Sequence, residues 1–317
     1  MKKKVVLSRR RFVGLTTLAT AGTWFTFTNF AGARFVRQAI QETARHVSPS
    51  KLKPTPATWS DNEIHAAWIG HATVLLNFYG LTILTDPVMM PRVGVDIGIA
   101  TVGPKRLVAP PLSLKELPPI DLILLSHAHM DHFDMATLHS FDSSSKAITA
   151  KATHDLFNEM KFQKNVTELA WGESAMVKTN HGDVRVEAFE VNHWGARWRT
   201  DKQRGYNGYV LEREGRKLIF GGDTAITDKF RHIRTKRGYD LAIMPIGSYM
   251  PYKKCHCTPE ESVKMLNDAG AEKILPIHFK TFRLGEEGTT EPLERLEAAI
   301  AHDRIGWRDV GETYKLA

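Results

Sequence analysis

The densest chemistry in this 317-residue chain is the run Ser126-His127-Ala128-His129-Met130-Asp131-His132. Three imidazoles and one carboxylate within six residues are donors of the kind that hold divalent transition metals. Packed together without a cation they would repel, and they would lose hydration with nothing to replace it. In an extended loop, residues two apart point the same way, so His127 and His129 can share one ion while Asp131 and His132 reach a second. Two cations about 3.5 to 4 Å apart polarise one water and lower its pKa from about 15.7 toward 7, which supplies a nucleophile at neutral pH. They also neutralise charge on attacking and departing oxygens, the help that an anionic phosphodiester requires. Isolated histidines such as His65, His139, His154 and His232 lack such neighbours and are read as surface or satisfied core residues. His71 is open to two readings, lining the site or supporting the turn at Gly70, and support is the favoured one.

A strand must deliver that motif. Leu122-Ile123-Leu124-Leu125, between Asp121 and Ser126, is a continuous apolar run of the kind buried on both faces of a sheet. Further strands are predicted over 64–68, 72–78 and 81–85, with Tyr79-Gly80 as a hairpin turn, and over 184–191, 206–212, 217–221, 241–245 and 273–277. Thr258-Pro259-Glu260-Glu261 combines a capping box with proline at the first helical position, and Gly270 should end that helix. Thr290-Glu291-Pro292 reads as a second start of this type. Many short strands with late helices suggest a layered α/β sandwich covered by helices on both outer faces, although composition alone leaves a doubly wound fold open.

The formal charge of +8 resembles that of a nucleic-acid binder, but its distribution argues against that reading. Residues 1–33 hold Lys2, Lys3, Lys4, Arg9, Arg10 and Arg11 and no acid, so the rest carries 37 basic residues against 35 acidic ones. Ser8-Arg9-Arg10-Arg11-Phe12-Val13 resembles a twin-arginine export signal. The 22 uncharged residues from Phe12 to Ala33 include six threonines, and Ala31-Gly32-Ala33 offers a cleavage site. A retained membrane anchor is the alternative, because 22 residues are long enough to span a bilayer. Either way the folded part is expected outside the cytoplasm, periplasmic or exported, with the twin-arginine machinery as a partner. Segment 34–60, with Pro54 and Pro56, reads as a linker into a domain at 61–317. Cys255 and Cys257 flank His256 too closely for an unstrained disulfide, and a structural zinc site would need another ligand.

The His-x-His-x-Asp-His pattern at a strand's end resembles the signature of the metallo-β-lactamase superfamily. That resemblance implies an α/β fold, the four-layer αββα sandwich, with further ligands at downstream strand ends. By resemblance, His127, His129 and His193 hold the first metal, Asp131, His132 and His278 hold the second, and Asp223 bridges them. Gly221 and Gly222 are read as letting the backbone approach the metals. The all-nitrogen and oxygen set favours two zinc ions, with iron or manganese also fitting.

Seven blocks in order look like the N-acyl-phosphatidylethanolamine-hydrolysing phospholipase D family and its bacterial RomA-like relatives. They are Trp68-Ile-Gly-His-Ala-Thr73, Leu84-Thr-Asp-Pro87, Gly103-Pro-Lys-Arg106, Pro110-Pro111, Leu117-Pro-Pro-Ile-Asp121, Met244-Pro-Ile-Gly-Ser-Tyr249 and His256-Cys-Thr-Pro-Glu-Glu261. The resemblance implies water attack on a lipid phosphodiester, releasing a phosphatidic acid and an N-acylethanolamine. It also gives His256 a catalytic place, donating a hydrogen bond to the phosphate or a proton to the leaving oxygen. Met130 stands at a substrate-contacting place where the family's mammalian enzyme has tyrosine, a departure that bears on lipid specificity. Trp194, Arg197, Trp198, Arg199, Lys202 and Arg204 form a basic, aromatic stretch suited either to lipid headgroups and peripheral membrane contact or to an ordinary solvated loop. Two readings compete with the phosphodiesterase: a lactonase or other ester hydrolase of the same fold, and a metal-binding envelope protein without turnover. A β-lactamase is disfavoured, because that branch commonly has cysteine where Asp223 stands.

Overall fold

The computed structural model describes Glu42 and residues 45–96, 98, 101–198 and 200–316. The expected signal at 1–33, most of 34–44 and Arg199 lie outside the described residues. The chain divides into two compact units, Met1–His46 and Val47–Ala317, and the second holds the metal-binding motif.

That second unit opens with β1 (Ile64–Gly70), β2 (Thr73–Phe78), β3 (Leu81–Thr85) and a short hairpin of β4 (Val95–Asp96) and β5 (Thr101–Val102). It continues through β6 (Leu122–Leu124), α1 (Met135–Leu138), β7 (Lys146–Ala150) and β8 (Val166–Leu169). After these come β9 (Ser174–Thr179), β10 (Gly182–Phe189), β11 (Gly208–Arg213), β12 (Arg216–Phe220) and α2 (Lys229–His232). The remainder is β13 (Tyr239–Pro245), α3 (Pro259–Ala269), β14 (Ala271–Ile277), α4 (Glu291–Ala299) and β15 (Thr313–Leu316). One seven-stranded sheet is ordered β15-β1-β2-β3-β6-β7-β8, and a six-stranded sheet is ordered β14-β13-β12-β11-β10-β9. The strand nearest the C-terminus closes the first sheet, with Leu316 opposite Ile64.

Alternation along β1 shows how the layers form. Ile64, Ala66 and Trp68 enter the core between the sheets, whereas Ala67 and Ile69 enter a second cluster on the other face. In β6, Leu122 and Leu124 face the inter-sheet core and Ile123 faces the outer cluster, so the apolar run is buried on both sides as expected. Each such large side chain contributes about 1.5 to 3 kcal/mol when fully buried. From the second sheet, Val184, Val186, Leu211, Leu218 and Ile243 complete the inter-sheet core. Helix α3 packs on β13 and β14 with α4 beside it, and α1 with Phe133, Phe157 and Phe162 covers the opposite face. This is the αββα order, with the layer over the first sheet built largely from short turns.

Every predicted strand is present, with ends within two residues of those expected. Tyr79 and Gly80 have φ of 54° and 82°, the double positive φ of a tight hairpin turn. The Thr258 cap also forms as expected: its Oγ1 accepts from Glu261 N, Glu261 accepts from Thr258 N, and Gly270 ends the helix at φ 77°. Thr290 differs, since its side chain makes no capping hydrogen bond. The linker boundary also moves. Ser48 bridges to Val108, and Ser50 Oγ donates to Val310 O at 2.8 Å, so the compact unit starts at Val47 rather than at 61.

Candidate metal centre

The expected ligands converge on one edge of the sandwich because each follows a strand of that edge. His127, His129, Asp131 and His132 follow β6, His193 follows β10, Asp223 follows β12 and His278 follows β14. The motif is extended only at its start, where His127 bridges to Tyr206 and Asn207 N donates to Ser126 O at 2.9 Å. It then turns, with His129 O accepting from His132 N at 3.1 Å and from Phe133 N at 2.8 Å. This turn, rather than strand alternation, is what directs the adjacent residues Asp131 and His132 toward the same cluster. Gly222 explains part of the local sequence, because a Cβ there would lie 2.8 Å from Ser126 Cβ and 2.9 Å from Asn207 O. The need for glycine is therefore against the motif strand.

Two donor clusters result. In the first, His127 Nε2 and His193 Nε2 lie 2.8 and 3.2 Å from His129 Nδ1. In the second, Asp131 Oδ2 lies 3.5 Å from both His132 Nε2 and His278 Nε2. Asp223 Oδ2 sits between them, 3.0 Å from His132, 3.1 Å from His278 and 3.9 Å from His193. Three ring nitrogens at 2.8 to 3.2 Å cannot all be satisfied by shared protons, whereas one cation satisfies all three. The buried His132 Nε2, His278 Nε2 and Asp223 Oδ1 likewise have no hydrogen-bond partner. The residues therefore fit two metal ions.

Outer contacts set which nitrogen each imidazole presents. Asp86, fully buried after β3, accepts from His132 Nδ1 and from Ser126 Oγ, both at 2.6 Å. Because the Ser126 hydroxyl donates to Asp86, it accepts from His127 Nδ1 at 2.9 Å. Asp86 thus fixes a proton on Nδ1 and makes Nε2 the coordinating nitrogen on one histidine of each cluster. His193 Nδ1 donates to Cys255 O at 2.9 Å with the same effect. Arg197 Nη1 donates to Ala128 O at 3.1 Å and to Phe133 O at 2.8 Å, clamping both ends of the motif turn.

Burial pushes His127 and His193 well below the ordinary imidazole range and leaves their lone pairs free. On His132 and His278 burial is outweighed by Asp223 and Asp131, which raise His132 and push His278 up to about 9. On Asp131 and Asp223 burial is likewise outweighed, here by the neighbouring histidines, and both carboxyls stay well below the usual range. Burial lowers His256 to about 4.

His256 joins the site, with Nδ1 3.7 Å from Asp223 Oδ2 and no hydrogen-bond partner. Met130 occupies the motif turn and is half-buried. His71 fills both roles the sequence allowed rather than the favoured one alone: it supports the turn, and its ring reaches the second cluster, 2.9 Å from Asp131 Oδ2. Asp86 was missed in the sequence, where its only signal was its place in the Leu84-Thr-Asp-Pro87 block. Within the basic stretch, Arg204 is buried against Asp155, Asp201 and Ala152 O, and Arg197 holds the motif, so neither is a free headgroup contact. Both cysteines are free thiols.

The sandwich with paired His/Asp clusters at one edge defines a metal-dependent hydrolase. The chain belongs to the metallo-β-lactamase superfamily: the family model described as beta-lactamase superfamily domain matches residues 82–279. It is 31% identical over 300 residues to N-acyl-phosphatidylethanolamine-hydrolyzing phospholipase D 1 of Caenorhabditis elegans, covering 86% of this chain and 83% of that protein. The mitochondrial N-acyl-phosphatidylethanolamine-hydrolyzing phospholipase D of Saccharomyces cerevisiae is 32% identical over 76% of this chain and 54% of its own length. In fold it resembles a possible metal-dependent hydrolase from Veillonella parvula, with TM-score 0.64 and 17% identity, covering 80% of this chain and 100% of the other.

Proposed function

We propose that this protein is a binuclear zinc-dependent phosphodiesterase of phospholipase D type, acting on N-acylphosphatidylethanolamine-like lipids. The carrying observation is the position of Asp223 Oδ2, within 3.9 Å of donors from both clusters. His127, His129 and His193 would hold one ion, Asp131, His132 and His278 the other, with Asp223 between. When bound, two such ions lower the pKa of water and neutralise charge on the phosphodiester. His256, neutral at pH 7 when held near 4, suits a ring N–H hydrogen bond to the phosphate better than proton donation.

Exposed apolar groups around the donors favour an amphiphilic substrate. Trp194 is 46% exposed and meets His129 edge-on at 4.7 Å, and Tyr252, 52% exposed, lies 6.4 Å from His256. Met130 between the ligands is assigned to the same substrate surface, which also suits peripheral membrane contact. The likeness to the worm and yeast phospholipases supports the same lipid class. Export through the twin-arginine route to the periplasm belongs to this proposal and rests on Arg9, Arg10 and the segment after them.

The test is metal-loaded protein against N-acylphosphatidylethanolamine vesicles, bis(p-nitrophenyl) phosphate, an aryl ester and a lactone. Release of phosphatidic acid and N-acylethanolamine is expected. Turnover of only the ester or lactone would replace this reading, and no turnover of any substrate by a two-ion protein would favour a binding role.

A further inference from the structure

We infer that His71 is a positioning residue for the second metal site, holding the Asp131 carboxylate in place for its ion. The inference rests on the two-ion reading above. His71 follows β1, on a turn remote in sequence from every ligand, yet its backbone is fastened to the strand end that carries His278. His71 N donates to Thr281 Oγ1 at 2.7 Å, while His71 O accepts from His278 N at 3.1 Å and from Trp68 Nε1 at 2.9 Å. The ring is equally confined. It lies 4.1 Å from the His278 ring and 5.3 Å from Phe282, and the residue is only 1% exposed.

A carboxylate oxygen can only accept, so Nε2 of His71 carries the proton and donates to Asp131 Oδ2 at 2.9 Å. Asp131 needs such a partner, because its side chain is 18% exposed and its backbone lies in the motif turn. A carboxylate free to rotate would present its oxygens to the ion only part of the time, and outer hydrogen bonds of this type orient ligands. The backbone argues against a role confined to the turn. His71 has φ of 55°, a conformation that glycine or asparagine adopts at lower cost. Neither of those side chains reaches Asp131, whereas an imidazole does.

The experiment compares His71→Gln, which retains an N–H donor at similar reach, with His71→Leu, which has similar bulk but no donor. Each metal-free protein is titrated with zinc against a chromophoric chelator, with elemental analysis for stoichiometry and thermal unfolding as the control. The parent binding two zinc ions tests the two-ion reading by itself. His71→Leu is expected to bind the first zinc like the parent and the second about 10- to 100-fold more weakly, with His71→Gln within about threefold at both. Equal second-site affinity in the His71→Leu and parent proteins overturns the inference, as does equal weakening at both sites. A His71→Gln protein as weak as His71→Leu also overturns it, because the imidazole would then act as more than a donor. Should His71→Leu fail to fold, His71→Gln decides: near-parent second-site affinity supports the inference, and a tenfold loss overturns it.

Discussion

Replacing Asp86 with asparagine should loosen both metal sites at once, although Asp86 is placed against neither ion. The carboxylate takes three hydrogen bonds: Ser126 N at 2.7 Å on Oδ1, and Ser126 Oγ and His132 Nδ1 at 2.6 Å on Oδ2. Asparagine tolerates the local φ of 31° as well as aspartate does, so the backbone should not object. Its amide has one oxygen, and neither orientation serves all three donors. With that oxygen toward His132, the NH₂ opposes Ser126 N–H at 2.7 Å in a buried place. With it toward Ser126 N, the NH₂ opposes His132 Nδ1 and the Ser126 hydroxyl. His132 must then move its proton to Nε2, and the hydroxyl turns its proton toward His127 Nδ1 with the same consequence. The first orientation loses a buried hydrogen bond, about 1.5 to 3 kcal/mol of stability, and the second leaves a proton on Nε2 of both His132 and His127 that an ion must displace; losing such an outer partner costs about 10- to 100-fold in metal affinity. Zinc competition on the metal-free variant, with circular dichroism to confirm folding, measures this directly. A folded variant that binds both ions within about threefold of the parent would refute the tautomer argument.

Removing the His256 ring should leave both ions bound while lowering turnover. His256→Ala is expected to slow hydrolysis of the lipid and of bis(p-nitrophenyl) phosphate alike by about 10²-fold, as for loss of one transition-state hydrogen bond. A loss confined to the poor leaving group would restore the proton-donor role, and loss of metal would make His256 a ligand. Zinc binding should release protons, because the metal-free protein holds His278 at about 9 and His132 above the ordinary range, and both must be deprotonated to coordinate. Second-site affinity should therefore rise from about pH 6 toward about pH 9 and then level off, as read by calorimetry in buffers of different ionisation enthalpy; a flat profile would contradict the assignment. Replacing Arg9 and Arg10 with lysine should keep the protein in the cytoplasm on cell fractionation, and undiminished export would show that the pair is not the signal.

Local chemistry made much of this protein legible in its sequence. The apolar run before His127 read as a buried strand, Thr258 and Gly270 bound a helix through contacts that span four residues or fewer, and four donors in six residues pointed to a cation. Besides the two-residue hairpin strands β4 and β5, the strands that escaped the pattern were β7, β8, β9 and β15. Three of these lie at sheet edges, where exposure on one or both faces removes the apolar contrast that reveals a strand.

Other features depended on residues far apart in sequence meeting in space. His71 is 60 positions from Asp131, and Asp86 is 46 from His132, so no spacing rule links either pair. Arg197 and Arg204 looked alike as members of one basic stretch, and only their partners showed that one clamps the motif turn while the other is buried against Asp155 and Asp201. The sequence by itself determined which donors were available and that strands carried them, because those are local properties of residue type and period. The tertiary structure decided which nitrogen each imidazole presents and how each carboxylate is held, because a tautomer is set by the hydrogen bond at the far side of the ring, and that partner comes from a different strand.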